Sequence, residues 1–283
     1  LGFMSFATLL LLFLGRKITL RQRLLLQQGI NGFDLSGLVR LTKYILIFTL
    51  SVELLGACIL ATQFIPEYGL TRGIWYSVFH SVSAFCNAGF DLIETGTSLS
   101  NYAHNPVVIY TMMLLIIIGG LGFFVWTELF DYPKKRKLSF HSKLVLSTTI
   151  ILTITGAVLI GAVEFYNPHT LKDMSFFTAF NNVLFTSVTT RTAGFTTIPF
   201  VDFTGASTLV IFIFIFIGGS PGSTAGGIKN TTIAVLFLSV WSFIKGRPYI
   251  EAFGRRIRLA TLHRSVVIFV IGMAAIILTT FII

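Results

Sequence analysis

Long apolar runs punctuated by short clusters of lysine and arginine leave this chain few ways to fold. Residues 37–65, 106–127, 144–165 and 265–283 each approach or exceed the roughly 20 apolar positions that carry a helix across a bilayer. Hydrophobic residues make up 54% of the chain and charged residues 11%. A soluble domain carries about 25% charged residues, so the polar surface that water requires is missing. The fold class expected is an all-α polytopic membrane protein. The first residue is Leu1, no signal-peptide cleavage pattern opens the chain, and both ends fall inside apolar runs. The expectation is a piece of a longer polypeptide.

The formal net charge is +10, which in another setting suggests nucleic acid. Its distribution argues against that partner. The cations gather in three clusters, around Arg16 to Arg23, Lys134 to Lys143 and Lys245 to Arg264, each between apolar runs. Such clusters mark the cytoplasmic side of a membrane protein. The other connections carry Glu67, Asp91, Glu94, Glu164, Asp173 and Asp202 with few cations, and so are expected outside. Cys58 and Cys86 sit in apolar surroundings that point to no disulfide.

Internal similarity sets the organisation. Leu1-Gly2-Phe3 recurs as Leu121-Gly122-Phe123, and Arg16-Lys17-Ile18-Thr19-Leu20 as Arg136-Lys137-Leu138-Ser139-Phe140, both at an offset of 120 residues. A second pattern links Ala88-Gly89-Phe90 to Ala193-Gly194-Phe195. The segments expected are 1–23 (end of a first repeat), 24–142 (a complete second), 143–263 (a third with a broken second helix) and 264–283 (the start of a fourth). In the complete repeat the charges send helix 37–65 outward and helix 106–127 back. The apolar segment 73–86 is too short to span, so it must enter and leave on the outer side. Segment 174–190 occupies the same place in the next repeat, giving two helix–pore loop–helix units.

Irregular backbone at membrane depth leaves polar groups unpaired and persists mainly where it lines a cavity. The two glycine segments follow the short helices, and a glycine there can take positive φ and align successive carbonyls. Rings of carbonyls replace the hydration shell of a dehydrated cation. Asn87, Ala88, Gly89 and Phe90, with Thr192, Ala193, Gly194 and Phe195, are therefore the candidate filter, with K+ as the metal held. The bland alternative is a tight turn at a helix end.

A second break lies at Gly218-Gly219-Ser220-Pro221-Gly222-Ser223-Thr224-Ala225-Gly226-Gly227. Five glycines and a proline in ten residues do not continue a helix. The flanking runs 206–217 and 231–244 are each too short to span, so the break falls inside the membrane, where interrupted helices line transport pathways. The alternative is a plain kink. A phosphate-binding loop is excluded because Ile228 separates the last glycine from Lys229 and a helix, not a strand, precedes it. Lys229 is costly at membrane depth unless it faces water or a partner, and is the candidate pathway charge. Glu53 and His80 read as packing groups before ion or proton carriers. Arg191 is expected to brace the second filter through an acidic neighbour that the sequence does not name. An intramembrane hydrolase lacks its nucleophile–base pair or paired aspartates.

The segments 83–91 (Ser-Ala-Phe-Cys-Asn-Ala-Gly-Phe-Asp), 187–197 (Ser-Val-Thr-Thr-Arg-Thr-Ala-Gly-Phe-Thr-Thr) and 218–229 closely resemble the membrane subunits of bacterial Ktr potassium uptake systems, in the Trk/Ktr/HKT superfamily. The resemblance runs along essentially the whole chain. It implies four helix–pore–helix repeats in pseudo-fourfold arrangement around one pore, with Gly89 and Gly194 as two of four filter glycines and 218–227 as an intramembrane gating loop. It also implies a multi-pass protein of the bacterial cell membrane, a homodimer in membrane lipid, and a cytosolic ring of KtrA-like nucleotide-binding regulatory subunits. Transported K+, with Na+ as an activator in some members, is implied, and no organic cofactor on this chain. At about 120 residues per repeat a complete subunit would have roughly 450 residues. Two filter strands of four would not close a selective pore alone. The implied function is gated movement of K+ down its electrochemical gradient; a channel-like subunit of an ATP-driven pump is the alternative.

Overall fold

The computed structural model describes residues 35–93 and 98–282, with side chains from residue 43 onward. The segment 1–23 with its basic cluster, and Glu94, lie outside the described residues. The rest is helical: α1 (Leu35–Phe85), α2 (Pro106–Leu121), α3 (Phe123–Lys135), α4 (Phe140–Glu164), α5 (Phe176–Thr189), α6 (Gly205–Phe216), α7 (Asn230–Ile244) and α8 (Leu259–Ile282). A two-residue hairpin, β1 (Glu251–Ala252) with β2 (Arg255–Arg256), joins α7 to α8. Three stretches, Lys43–Phe85, Phe140–Glu164 and Leu259–Ile282, are long and apolar enough to cross a membrane. The all-α membrane fold is as expected.

α1 is a hairpin of two helical arms. Gly69, at φ 78 and ψ 170, interrupts it, and the chain beyond doubles back. A Cβ on Gly73 would lie 2.5 Å from Ile65 Cα. Lower down, Ser81 donates to the Glu53 carbonyl at 2.6 Å. The short segment thus runs back beside the long one. α4 and α5 repeat the arrangement: Ser187 donates to the Thr153 carbonyl at 2.8 Å. Gly56 sits against Ser81 and Gly156 against Ser187, so small residues admit both close approaches. Lipid supplies no hydrophobic drive between helices, and such small-residue contacts and interhelical bonds, about 0.6–1.7 kcal/mol each, carry the packing.

Side-chain caps start the later helices. Asn105 accepts from Val107 N and Val108 N, with Pro106 in the first turn of α2. Ser139, Ser175 and Thr204 cap α4, α5 and α6 in the same way. Glu164, fully buried, ends α4 and holds the outer connections together. Its carboxylate accepts from Asn167 Nδ2 at 2.6 Å, Thr170 Oγ1 at 2.8 Å, Thr204 N at 3.0 Å and Thr204 Oγ1 at 2.6 Å.

The helix expected over 106–127 is broken. Gly122, at φ 89 and ψ 143, ends α2, and α3 leaves at 96°. The break lies in Gly119-Gly120-Leu121-Gly122, whose Gly-Gly pair recurs as Gly218-Gly219 at an offset of 99 residues. The main core, including Phe64, Phe85, Met112, Ile116, Phe185 and Phe195, packs α1, α2 and α5 around the two glycine segments. The outer faces stay apolar: Ile271 and Leu278 on α8 are exposed, as for lipid-facing positions.

Candidate functional site

Both short helices, 70–85 and α5, end in the same backbone figure. Asn87 and Gly89 take φ 50 and 74; Thr192 and Gly194 take φ 65 and 91. Ala88 N donates to the Ser83 carbonyl at 2.9 Å, and Ala193 N to the Thr189 carbonyl at 2.9 Å. The hydroxyls of those helix residues then reach forward, Ser83 to the Phe90 carbonyl and Thr189 to the Phe195 carbonyl, each at 2.7 Å. The chain therefore climbs back beside the helix it has just left. His80 fits the first climb: its Nδ1 meets the Tyr76 carbonyl at 2.7 Å and its Nε2 meets Leu92 N at 3.4 Å. It is a packed ring with both nitrogens engaged.

The two segments meet. A Cβ built on Gly89 would lie 2.5 Å from Ala193 O and 3.0 Å from Gly194 Cα, and one on Gly194 would lie 3.1 Å from Gly89 Cα. Positive φ and close approach both demand glycine at these two positions. Above the glycines, Leu99 N donates to the Thr196 carbonyl at 2.8 Å. The surroundings are unequal: Phe195 is buried at 0% exposure, whereas Phe90 is 69% exposed.

The second break lies against these segments. Its neck is closed by Gly218 N donating to the Ile228 carbonyl at 2.9 Å and Ile228 N donating to the Phe216 carbonyl at 3.1 Å. Its tip uses the carbonyls that the other broken helix leaves without intrahelical partners. Ser220 N donates to Gly120 O at 3.0 Å, Thr224 N to Gly119 O at 3.2 Å, and Trp126 Nε1 takes Ile118 O at 2.9 Å. Phe123 N, at the start of α3, donates in return to Gly222 O at 3.0 Å. Two breaks in apolar helices thus satisfy each other's backbone, which membrane depth requires. Asn230 locks the exit, with Nδ2 2.9 Å from Ser220 Oγ and 3.3 Å from Thr149 Oγ1.

The loop touches both glycine segments. Thr224 Oγ1 donates to the Phe85 carbonyl at 2.8 Å and lies 3.5 Å from Asn87 Oδ1; Gly226 N donates to Thr192 Oγ1 at 3.0 Å. Lys229 is half-buried, and its ammonium donates to the Ala225 carbonyl at 2.7 Å, closing the loop on itself. Arg191 is buried, with Nε lacking any hydrogen-bond partner among the described residues. Among the described residues no acidic side chain forms an ion pair with it; Glu94 lies outside them. Gly119, Gly120, Gly122 and Asn230 are the partners that the sequence reading missed. The first three were signalled by the glycine density of 119–122, the same sign that marked 218–227.

Comparison with known proteins gives this arrangement a family. The profile of the TrkH family, described as cation transport protein, matches residues 1–283. The chain is 40% identical over 274 residues to "Potassium/sodium uptake protein NtpJ" of Enterococcus hirae, covering 97% of this chain and 60% of that protein. It is 35% identical over 284 residues to "Ktr system potassium uptake protein B" of Bacillus subtilis, covering 99% of this chain and 63% of that one. The crystal structure of the potassium transporter TrkH from Vibrio parahaemolyticus shares the fold, with a TM-score of 0.69 at 20% identity, over 95% of this chain and 53% of that one. The chain spans about three fifths of the length of these curated relatives. With its glycine segments, broken helices and apolar spans, the chain belongs to the TrkH family of cation transport proteins.

Proposed function

We propose that this chain belongs to the ion-translocating subunit of a potassium uptake system in the bacterial cell membrane. Backbone carbonyls of residues 87–90 and 192–195 supply two strands of its selectivity filter. Both pore helices point their C-termini at these strands, and helix C-termini carry partial negative charge that favours a cation. Residues 218–227 act as an intramembrane gate, with Lys229 as a cation beside the pathway that discourages leak. The observation that carries this reading is the loop's simultaneous attachment to the Phe85 carbonyl, where the first glycine segment begins, and to Thr192 in the second. An inside-negative potential supplies about 2.3 kcal/mol per charge per 100 mV for uptake, so no covalent chemistry is needed.

Relatives named for potassium uptake, and one for potassium and sodium uptake, support K+ as cargo; Na+ as an activator is a further part of this proposal. The partners proposed are a second copy of the subunit and a cytosolic ring of KtrA-like nucleotide-binding subunits. The test is selective-ion flux in liposomes containing the full-length subunit, with and without that ring. K+ flux exceeding Na+ flux, and Lys229→Gln raising leak in the closed state, are expected. Equal K+ and Na+ flux, or flux unchanged by Lys229→Gln in every condition, overturns the corresponding part.

A further inference from the structure

On the side marked by the basic clusters, α4, α7 and α8 part around a cleft of about 530 Å³. Arg255, Arg258 and Arg264 line it, and none has an ion-pair partner among the described residues. Arg256 also lines it but is engaged, with Nε 3.0 Å from Glu251 Oε1 and its guanidinium 3.9 Å above the Tyr249 ring. Three helices begin at its walls: His141 lies in the first turn of α4, Thr231 in that of α7, and Arg258 directly precedes α8. Helix N-termini present free N–H groups and partial positive charge, so they add to the arginines in favouring an anion.

The arginines stand on an ordered mount. The β1–β2 turn places Phe253 at φ 50 and Gly254 at φ 71, and the left-handed region is unfavourable for a bulky side chain. The Phe253 ring packs edge-on against Phe140, a residue of the cleft wall, with centroids 6.2 Å apart. A strained turn held by that contact fixes the hairpin against α4. Part of the wall is apolar, formed by the buried Leu144 and Val235 and the more exposed Ile268.

We infer that this cleft binds an anionic phospholipid, its phosphate among Arg255, Arg258 and Arg264 and an acyl chain along the apolar wall. Free phosphate shares the headgroup chemistry, but it has no use for that wall. Basic pockets between membrane helices on the cytoplasmic side suit such headgroups. Pro221 also lines the cleft, so the lipid abuts the loop proposed as the gate. This last consequence rests on the gating reading; the binding does not.

Native mass spectrometry and thermal unfolding of the purified full-length subunit test the inference, with phosphatidylglycerol, phosphatidylcholine or inorganic phosphate added. Phosphatidylglycerol is expected to stay bound and raise the unfolding temperature, and phosphatidylcholine to do neither. The R255Q/R258Q/R264Q variant should bind phosphatidylglycerol at least about tenfold more weakly, since each basic group near anionic lipid contributes appreciably. Thr261→Trp should show the same loss by filling the cleft with all charges in place. The control K134Q/K135Q/R136Q, outside the cleft, should bind normally. Equal loss in that control, or equal stabilisation by phosphatidylcholine, overturns the site. Displacement of the lipid by millimolar phosphate overturns the lipid assignment. If lipid binds but flux ignores it, the link to the gate fails while the site stands.

Discussion

At the scale of single residues, the site is governed by glycines that other backbones approach. Gly89→Ala and Gly194→Ala each insert a methyl group into the contact between the two segments, and each forces a side chain onto positive φ. Both should lower K+ over Na+ selectivity about tenfold or more, because 1.4 kcal/mol of differential ion binding suffices for that factor. Flux ratios in proteoliposomes measure it, and unaltered selectivity in both variants would refute the filter assignment. Gly119→Ala acts differently. Its methyl would collide with the Phe85 carbonyl at the point where Thr224 also arrives. Such overpacking costs about 1–3 kcal/mol, so the expected result is a lower unfolding temperature. The glycines at 89 and 194 were legible because they recur with their neighbours. For Gly119 the glycine density marked a break, but a lone sequence does not say which carbonyl lies opposite a helical glycine.

At the scale of elements, two broken helices share one set of hydrogen bonds, and the loop between α6 and α7 is held by α2 as much as by its own neck. Thr224→Val removes the bond to the Phe85 carbonyl while leaving Thr224's backbone bond to Gly119 in place. One such bond in a membrane protein is worth about 0.6–1.7 kcal/mol. If the loop is the gate, closed-state K+ leak should rise roughly three- to twentyfold with the K+/Na+ ratio unchanged; a change in the ratio alone would place Thr224 in the filter instead. Glu164 organises the outer connections by accepting four hydrogen bonds. Glu164→Ala leaves the Thr204 N–H at the start of α6 without its acceptor, a loss of about 1–3 kcal/mol. Thermal unfolding should show it, with Glu164→Gln recovering part of the loss.

At the scale of the whole molecule, charge and apolar length predict which connections share a side. In a Cys58→Ser/Cys86→Ser background, a single cysteine at Tyr166, 79% exposed, and one at Phe253, 53% exposed, should react with a membrane-impermeant maleimide from opposite sides. Labelling of both from the same side would contradict the re-entrant topology. The sides follow from short basic connections, which resist translocation.

The sequence alone determined the all-helical membrane class and marked the positions of both glycine segments at the ends of short apolar helices. These follow from bilayer thickness, charge asymmetry and the absence of water for unpaired backbone, which are properties of composition along a line. Tertiary structure decided the rest. It broke the helix expected over 106–127 at Gly122 and turned α3 away by 96°. It also set that break against Ser220 to Thr224, and left Arg191 without the carboxylate expected for it among the described residues. Those outcomes depend on which freed carbonyl finds which freed amide across more than a hundred residues of chain, and no local preference encodes that pairing.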